Sequence, residues 1–139
     1  MNSVTSTENE SETEGSKYTP DDVIAGVLYY IGEDVPLRYD MNLLHETVQD
    51  LKEEFDMLDN FIFSNKRLSP VSPLLTSVLG RLQLARIIRV ENPEYGQFEL
   101  GRSATSYIEE NIIEDKFGED ERGQLQEIAQ EIENACGVE

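Results

Sequence analysis

The sequence predicts a mainly helical fold with a small antiparallel β-sheet, of the α+β class. A helix is predicted over residues 72–85, because a capping serine and a proline precede leucines and a valine at helical spacing. Two short strands are predicted within 87–101, because β-branched and alternating apolar residues flank a turn-forming segment at 92–96. A helix followed directly by a hairpin is the second half of a winged helix-turn-helix, and this is the architecture we expect.

The predicted helix 72–85 begins with two residues suited to a helix N-terminus. The Ser72 hydroxyl can accept a hydrogen bond from a free backbone amide two or three residues on, and Pro73 suits the first helical position. The buried face is expected to contain Leu75, Val78, Leu79 and Leu82. The hairpin strands are expected to contain Ile87, Ile88 and Val90, followed by Phe98 and Leu100.

Two amphipathic helices are predicted before this unit. The first is capped by Thr19 and ends at Gly32, which can adopt the left-handed conformation. The second runs over 41–54 after a second capping candidate, Asp40. The apolar stripes of the two helices are Val23, Ile24, Val27, Leu28 and Ile31, and Leu44, Val48, Leu51 and Phe55.

Three further segments complete the expected winged-helix domain, which spans residues 18–113. Phe61–Phe63 is expected to form either a short strand, which would pair with the hairpin in a three-stranded sheet, or a buried extended piece. Ser103 is expected to cap a helix that reaches Ile113. A charged linker with two glycines is predicted at 114–123.

A last amphipathic helix is predicted at 124–136, after the expected winged-helix domain. A helix of this length is too short to be stable alone in water. Its apolar residues, Leu125, Ile128, Ala129, Ile132 and Ala135, must therefore pack either on the domain or on a second copy of the chain. In the second case a homodimer interface is formed by Leu125, Ile128 and Ile132.

Charge divides the chain into three parts. The formal net charge of the 139 residues is −18, and residues 1–59 and 109–139 contribute −12 and −9 of it. Residues 60–108 carry three acids and six bases, so the middle of the chain is a basic island with a charge of +3. Residues 1–17 contain four glutamates and no apolar period, which predicts a disordered acidic arm.

The acidity has two physical explanations. A carboxylate-rich surface stays soluble in high salt, and the seven arginines against four lysines favour such a salt-adapted protein. Alternatively, the acidic parts bind a basic protein partner or mimic a phosphate backbone. Because the N-terminus lacks signal and transit features and no apolar run reaches the roughly 20 residues that cross a bilayer, we expect a cytoplasmic protein without membrane contact.

A longer pattern runs through the predicted domain. A helix ends near paired aromatics, a later aromatic strand follows, and a proline-and-serine step leads into a helix and a short strand. The matching residues are Leu28–Tyr30, Phe61–Phe63, Ser69–Pro73, Leu79 with Leu82, and Ile87–Ile88. This pattern, over about residues 20–113, resembles small prokaryotic winged-helix proteins, including the Panacea-type antitoxin domain. The resemblance implies a winged-helix fold, although Ser69 stands where the pattern usually has a glycine.

Residue patterns for catalysis are missing from the sequence. Gly-x-Gly-x-x-Gly, P-loop, Ser-x-x-Lys and His-Glu-x-x-His motifs do not occur. Neighbouring carboxylates such as Asp21 and Asp22 point about 100° apart on a helix, so they do not converge on one proton or metal ion. His45 is the single histidine and is expected at the surface or half-buried, and Cys136 is the single cysteine, near a fraying end. We expect a non-enzymatic protein with no catalytic residue, metal or cofactor.

The basic island makes DNA binding the leading functional hypothesis. If helix 72–85 enters a major groove, its outward residues are Thr76, Ser77, Gly80, Arg81 and Gln83. Arginine and glutamine can bind guanine and adenine edges, while threonine and serine reach phosphate. Further phosphate contacts are expected from Lys66, Arg67, Arg86, Arg89 and Arg102. The predicted function is that of a transcriptional regulator using this helix and the wing at 87–101.

Two alternatives stay open at this point. The cations of the island can instead pair with the acids of the chain, which outnumber them heavily. The protein is then an acidic docking or antitoxin-like module that binds another protein and not DNA, because its acidic flanks repel DNA unless salt screens them.

Overall fold

The computed structural model describes residues 18–33, 35–64, 70–91, 97–101 and 103–137. In this part the chain is mainly helical with a three-stranded antiparallel sheet, which confirms the predicted α+β class. The helices are α1 (Pro20–Ile31), α2 (Met41–Lys52), α3 (Pro73–Leu84), α4 (Ala104–Ile108), α5 (Glu114–Lys116) and α6 (Glu119–Cys136). The strands are β1 (Leu37–Arg38), β2 (Ile88–Glu91) and β3 (Gln97–Leu100).

Two shorter helical turns accompany these helices and strands. A 3-10 turn spans Asp56–Leu58, and a π-helical turn, Glu109–Ile113, joins α4 to α5. The predicted disordered arm 1–17 and the predicted turn 92–96 lie outside the described residues. None of the described helices is both long and apolar enough to cross a bilayer.

The N-termini of the first three helices are stabilised as predicted. Side-chain oxygens of Thr19, Asp40 and Ser72 each accept a hydrogen bond from the backbone amide three residues on, at 3.2 Å in all three cases. Gly32 ends α1 with a φ of 101°, in the left-handed region that favours glycine. The cap predicted at Ser103 is wrong, because its backbone is helical (φ −86°, ψ −2°) and its side chain makes no capping hydrogen bond.

The third strand of the sheet differs from the prediction. It is β1 at Leu37–Arg38, and the strand order is β1-β3-β2. Leu37 and Val90 both pair with Phe98, so β3 lies between the other two strands. The Phe61–Phe63 segment belongs to no strand, and Phe61 is instead fully buried in the core. A strand of two residues shows no alternating pattern, which is why the sequence did not reveal β1.

The predicted charged linker 114–123 and the predicted start of the last helix at residue 124 are also wrong. Only Phe117 and Gly118 separate α5 from α6. The Phe117 ring is buried and stacks on Tyr18 with ring centroids 4.8 Å apart, so the turn is packed on the domain. α6 starts early because acidic residues in a first turn suit the positive end of the helix dipole, and the Gly118 amide donates to Glu121 at 2.9 Å.

The apolar stripe of α6 packs inside the domain, against α1 and α2. Leu125, Ile128 and Ile132, the residues expected at a homodimer interface, are buried in the chain's own core, so they are not available to a second copy. Ala135 is exposed, and Cys136, expected near a fraying end, is fully buried in its place.

One glycine lets α1 and α6 approach each other closely. A Cβ atom added at Gly26 would lie 2.9 Å from Cδ1 of Leu125. The two helices therefore contact at the Gly26 backbone, and the core extends without a break from α1 to α6.

Candidate nucleic-acid interface on α3

α3 buries one face and exposes the other. The buried residues are Leu75, Val78, Leu79 and Leu82, as predicted. The residues expected to point outward, Thr76, Ser77, Gly80, Arg81 and Gln83, are all exposed. α3 carries no acidic residue, whereas α1, α2 and α6 each carry at least two. Its outer surface therefore differs in charge from the other long helices.

The exposed face of α3 has a small centre and polar edges. With about 100° between successive residues, Ser77, Gly80 and Leu84 lie along its middle. Arg81 lies at one edge and Gln83 at the other. A Cβ placed on Gly80 would meet no atom within 4 Å, so the backbone is open to solvent there. Leu84 is 87 % exposed at the C-terminal end of this face.

Arg81 forms a two-point ion pair with Asp21 in the first turn of α1. Its Nε and Nη2 atoms donate to the two carboxylate oxygens, each at 2.8 Å. The hydrogen bond from Arg81 holds the pKa of Asp21 below its usual range. The side chains remain 53 % and 31 % exposed, respectively. Arg81 therefore follows the alternative expectation, in which a cation of the basic island pairs with an acid of the same chain.

Arg89 is also ion-paired. It faces Glu99 across the β2–β3 pair, and its Nη2 atom lies 3.1 Å from Oε1 of that glutamate. Such cross-strand pairs of opposite charge stabilise a hairpin modestly, by about 0.2–1 kcal/mol. The charge of Arg89 is therefore partly neutralised within the hairpin, which weakens its attraction to a phosphate.

Arg86 differs from these two arginines. It is exposed and, among the described residues, forms no ion pair. Its φ of 64° is the one positive value found at a described non-glycine residue. Gly101 packs closely against the backbone that joins α3 to β2. Its amide donates to the carbonyl of Ile87 at 2.7 Å. A Cβ added at Gly101 would lie 2.7 Å from the carbonyl oxygen of Arg86.

Two surface grooves meet at Arg86. The first, of about 440 Å³, is also lined by Ala85, Ile87, Ser103, Ala104 and Tyr107. The second, of about 320 Å³, is also lined by Gln83, Ile88, Arg89, Val90 and Gly101. The end of α3 and the start of β2 therefore form a concave surface whose described lining residues are cationic, polar or apolar, with no acid among them.

His45 fixes α3 to α2. It is 2 % exposed, so the expectation of a surface or half-buried position is wrong. Its Nδ1 atom accepts a hydrogen bond from the buried Ser72 amide at 3.0 Å, which places the proton of the neutral ring on Nε2. Nε2 lies 3.4 Å from the Thr76 hydroxyl. One imidazole thus contacts the cap and the first turn of α3.

This arrangement predicts a pH-dependent stability. Burial lowers the pKa of His45 below its ordinary value, so the unfolded chain binds a proton more readily than the folded one. The contribution of His45 is complete above pH about 6.5, the ordinary value, and is lost as the pH falls from there through the lowered pKa of the folded protein. We expect the free energy of unfolding, measured by urea titration, to fall between pH 7 and pH 5.

His45→Gln is the matched control for this effect. Its side-chain oxygen can accept from Ser72, but it does not titrate in this range. The fall between pH 7 and pH 5 should be smaller in the variant. An equal fall in both proteins would assign the pH dependence to carboxylates and contradict the role of His45.

The structure places the nine predicted DNA contacts as follows. Arg86 is unpaired among the described residues, Arg81 and Arg89 are ion-paired, and the Thr76 hydroxyl donates to the carbonyl of the cap residue Ser72. Ser77 and Gln83 are exposed on α3. Lys66, Arg67 and Arg102 lie outside the described residues. Asp21 was not assigned to the site from sequence, since no local pattern links it to Arg81, 60 positions away. Leu84 was also not assigned, although the helical spacing of α3 places it on the exposed face.

Neither a metal site among the described residues nor a similar known protein indicates the function. The described part of the chain has no group of three or more histidine, cysteine, aspartate or glutamate residues that could hold a metal ion. Comparison with family models, with curated proteins and with solved structures gives no match. The function must therefore be argued from the site itself.

Proposed function

We propose that this chain is a winged-helix DNA-binding protein, acting as a transcriptional regulator, with α3 in a major groove and the β2–β3 hairpin as its wing. The order of elements supports the proposal. α3 leads directly into the hairpin, and β1 joins the hairpin from the opposite side, which gives the three-stranded sheet expected of a winged helix.

The outer face of α3 is the observation that carries the proposal. The major groove of B-DNA is wide enough for a helix, and base edges are read by hydrogen-bonding side chains. The small centre at Ser77 and Gly80 allows close approach, while Arg81 and Gln83 at the edges supply donors. An acid on α3 would be repelled by phosphates, and α3 has none. The Asp21 carboxylate at the edge of this face is neutralised by its ion pair with Arg81.

The overall charge determines how this binding should depend on salt. At low salt the −18 charge repels DNA over a Debye length of about 10 Å or more. At about 1 M salt the length falls to about 3 Å, so only groups in contact still interact. With few unpaired cations near α3, the protein should release few counterions, and its affinity should depend less on salt than that of a basic regulator.

The backbone of Arg86 supports a contact with DNA. A non-glycine residue in the left-handed region costs about 1–2 kcal/mol, and glycine avoids this cost. Strained residues occur preferentially at functional sites, where the side chain is needed for another purpose. An exposed arginine beside α3 is well placed to bind a backbone phosphate.

Arg86→Gly should separate stability from binding. We expect its free energy of unfolding to rise by about 1 kcal/mol, because the left-handed strain is removed. We also expect weaker binding to duplex DNA and a slope of log affinity against log salt that is shallower by about one. Fluorescence anisotropy with random-sequence duplex across a salt series measures both binding quantities.

Arg38→Ala is the charge-matched control. Arg38 is exposed on β1, on the other side of β3 from β2, so its loss should leave the salt slope nearly unchanged. Equal effects of the two substitutions would indicate general electrostatics and contradict a phosphate contact at Arg86. No binding of the wild type at any salt concentration would overturn the proposed function itself.

A second candidate is favoured by the ion pairs. Because Arg81 and Arg89 are neutralised within the chain, the free positive charge near α3 is small. The acids Glu119, Asp120, Glu127 and Glu131 of α6 are exposed and form no ion pair among the described residues. An acidic module that docks on a basic protein is then the better account if the duplex DNA experiment fails.

A further inference from the structure

We infer that Arg81 reads a guanine base and that Asp21 is the residue that positions it for this contact. The inference rests on the proposed function, because it requires α3 to lie in a major groove. It goes further by naming the base, the reading atoms and the residue on α1 that orients them.

The hydrogen-bonding capacity of Arg81 is only partly used within the chain. A guanidinium has five N–H donors in one plane. Asp21 takes the Nε–H and one Nη2–H, in a side-on contact with both distances at 2.8 Å. The two Nη1–H groups and the second Nη2–H group have no acceptor among the described residues. One N–H from each terminal nitrogen therefore remains for an end-on contact.

Guanine presents the acceptors that fit this end-on fork. Its O6 and N7 atoms lie side by side on the major-groove edge, and a bidentate arginine is the commonest specific contact to them. The Arg81 side chain is 53 % exposed, at the edge of the outer face of α3, so these donors can be reached from solvent.

Asp21 changes what Arg81 contributes to binding. The two-point ion pair fixes the plane of the guanidinium, so less rotational freedom is lost when the base is bound. The pair also carries no net charge, so its attraction to phosphates is weak while its directional hydrogen bonds remain. Arg81 is therefore suited to distinguish bases and contributes little general affinity for DNA.

The opposite role for Asp21 is a competitor that occupies Arg81 until a phosphate displaces it. The two roles predict different behaviour when the carboxylate is removed. If Asp21 is a competitor, Asp21→Asn binds more tightly and keeps its preference among bases. If Asp21 positions Arg81, the variant loses its preference for guanine even where its general affinity rises.

The test begins with selection from a random duplex library by the wild type. We expect a preferred site with at least one required guanine, whose replacement by 7-deazaguanine, which lacks the N7 acceptor, weakens binding by about tenfold. Arg81→Lys keeps the charge but lacks the fork, so it should lose this tenfold difference. Asp21→Asn should lose most of it as well.

Controls separate the possible failures. Asp50→Asn removes an exposed acid of α2 and should retain the full effect of 7-deazaguanine, which corrects for the change in net charge. Urea titrations confirm that each variant is folded. If Asp21→Asn retains the preference for guanine, the positioning role is overturned while DNA binding stands. If the wild type selects no duplex, both this inference and the proposed function are overturned.

Discussion

Phe98→Ala is expected to lower the free energy of unfolding by about 4 kcal/mol. Phe98 is 2 % exposed and lies on the central strand, where it pairs with Leu37 on one side and Val90 on the other. Its ring also meets Tyr39 edge-to-face, with centroids 5.8 Å apart. Truncation would remove contacts with both neighbouring strands and enlarge a void of about 30 Å³ that already exists beside the ring.

Urea titration monitored by circular dichroism measures this loss. Ile62→Ala is the control, since Ile62 is 66 % exposed and its truncation should change stability by less than about 0.5 kcal/mol. A loss below about 1 kcal/mol for Phe98→Ala would mean that the sheet is not part of the cooperative core. The β2–β3 hairpin would then be too weakly anchored in the core to act as a wing.

Leu125→Ala is expected to lower the free energy of unfolding by about 3 kcal/mol. Leu125 is fully buried on α6 and contacts α1 at Gly26, so its loss leaves a cavity between the two helices. The cost should not depend on protein concentration, because the partner surface belongs to the same chain. Titrations at two widely separated concentrations test this point.

Leu84→Ala is the matched control for Leu125→Ala. The same side chain is removed from an exposed position on α3, where little stability should be lost. If the loss in Leu125→Ala became smaller at low protein concentration, where copies of the chain dissociate, α6 would be acting between chains. That result would restore the homodimer interface that the burial of Leu125, Ile128 and Ile132 excludes.

Local interactions explain why part of the fold could be predicted from sequence. The caps at Thr19, Asp40 and Ser72 each bond to an amide three residues on, so their signal is contained in one short segment. The buried face of α3 follows in the same way from its helical spacing. Ser103 has a capping side chain but not the extended backbone a cap requires, and residue type alone does not reveal this difference.

Contacts between distant segments explain what could not be predicted. The outward face of α3 follows from periodicity, but the pairing of Arg81 with Asp21 depends on how α1 lies beside α3. Likewise, His45 bonds to Ser72 across 27 positions, so its burial and its role at the start of α3 needed the tertiary structure. The sequence thus identified many residues of the candidate site without showing which of them are occupied by partners within the chain.

The position of α6 has a consequence for the order in which the chain can fold during synthesis. α6 covers α1, and just after α6 Gly137 forms a bridge with Leu37, 100 residues earlier. Contacts of such long range form slowly, because the loop between them must be closed first. The part of the α1 surface that packs on α6 therefore stays uncovered on the ribosome until α6 has emerged, although α3 can cover another part of α1 earlier.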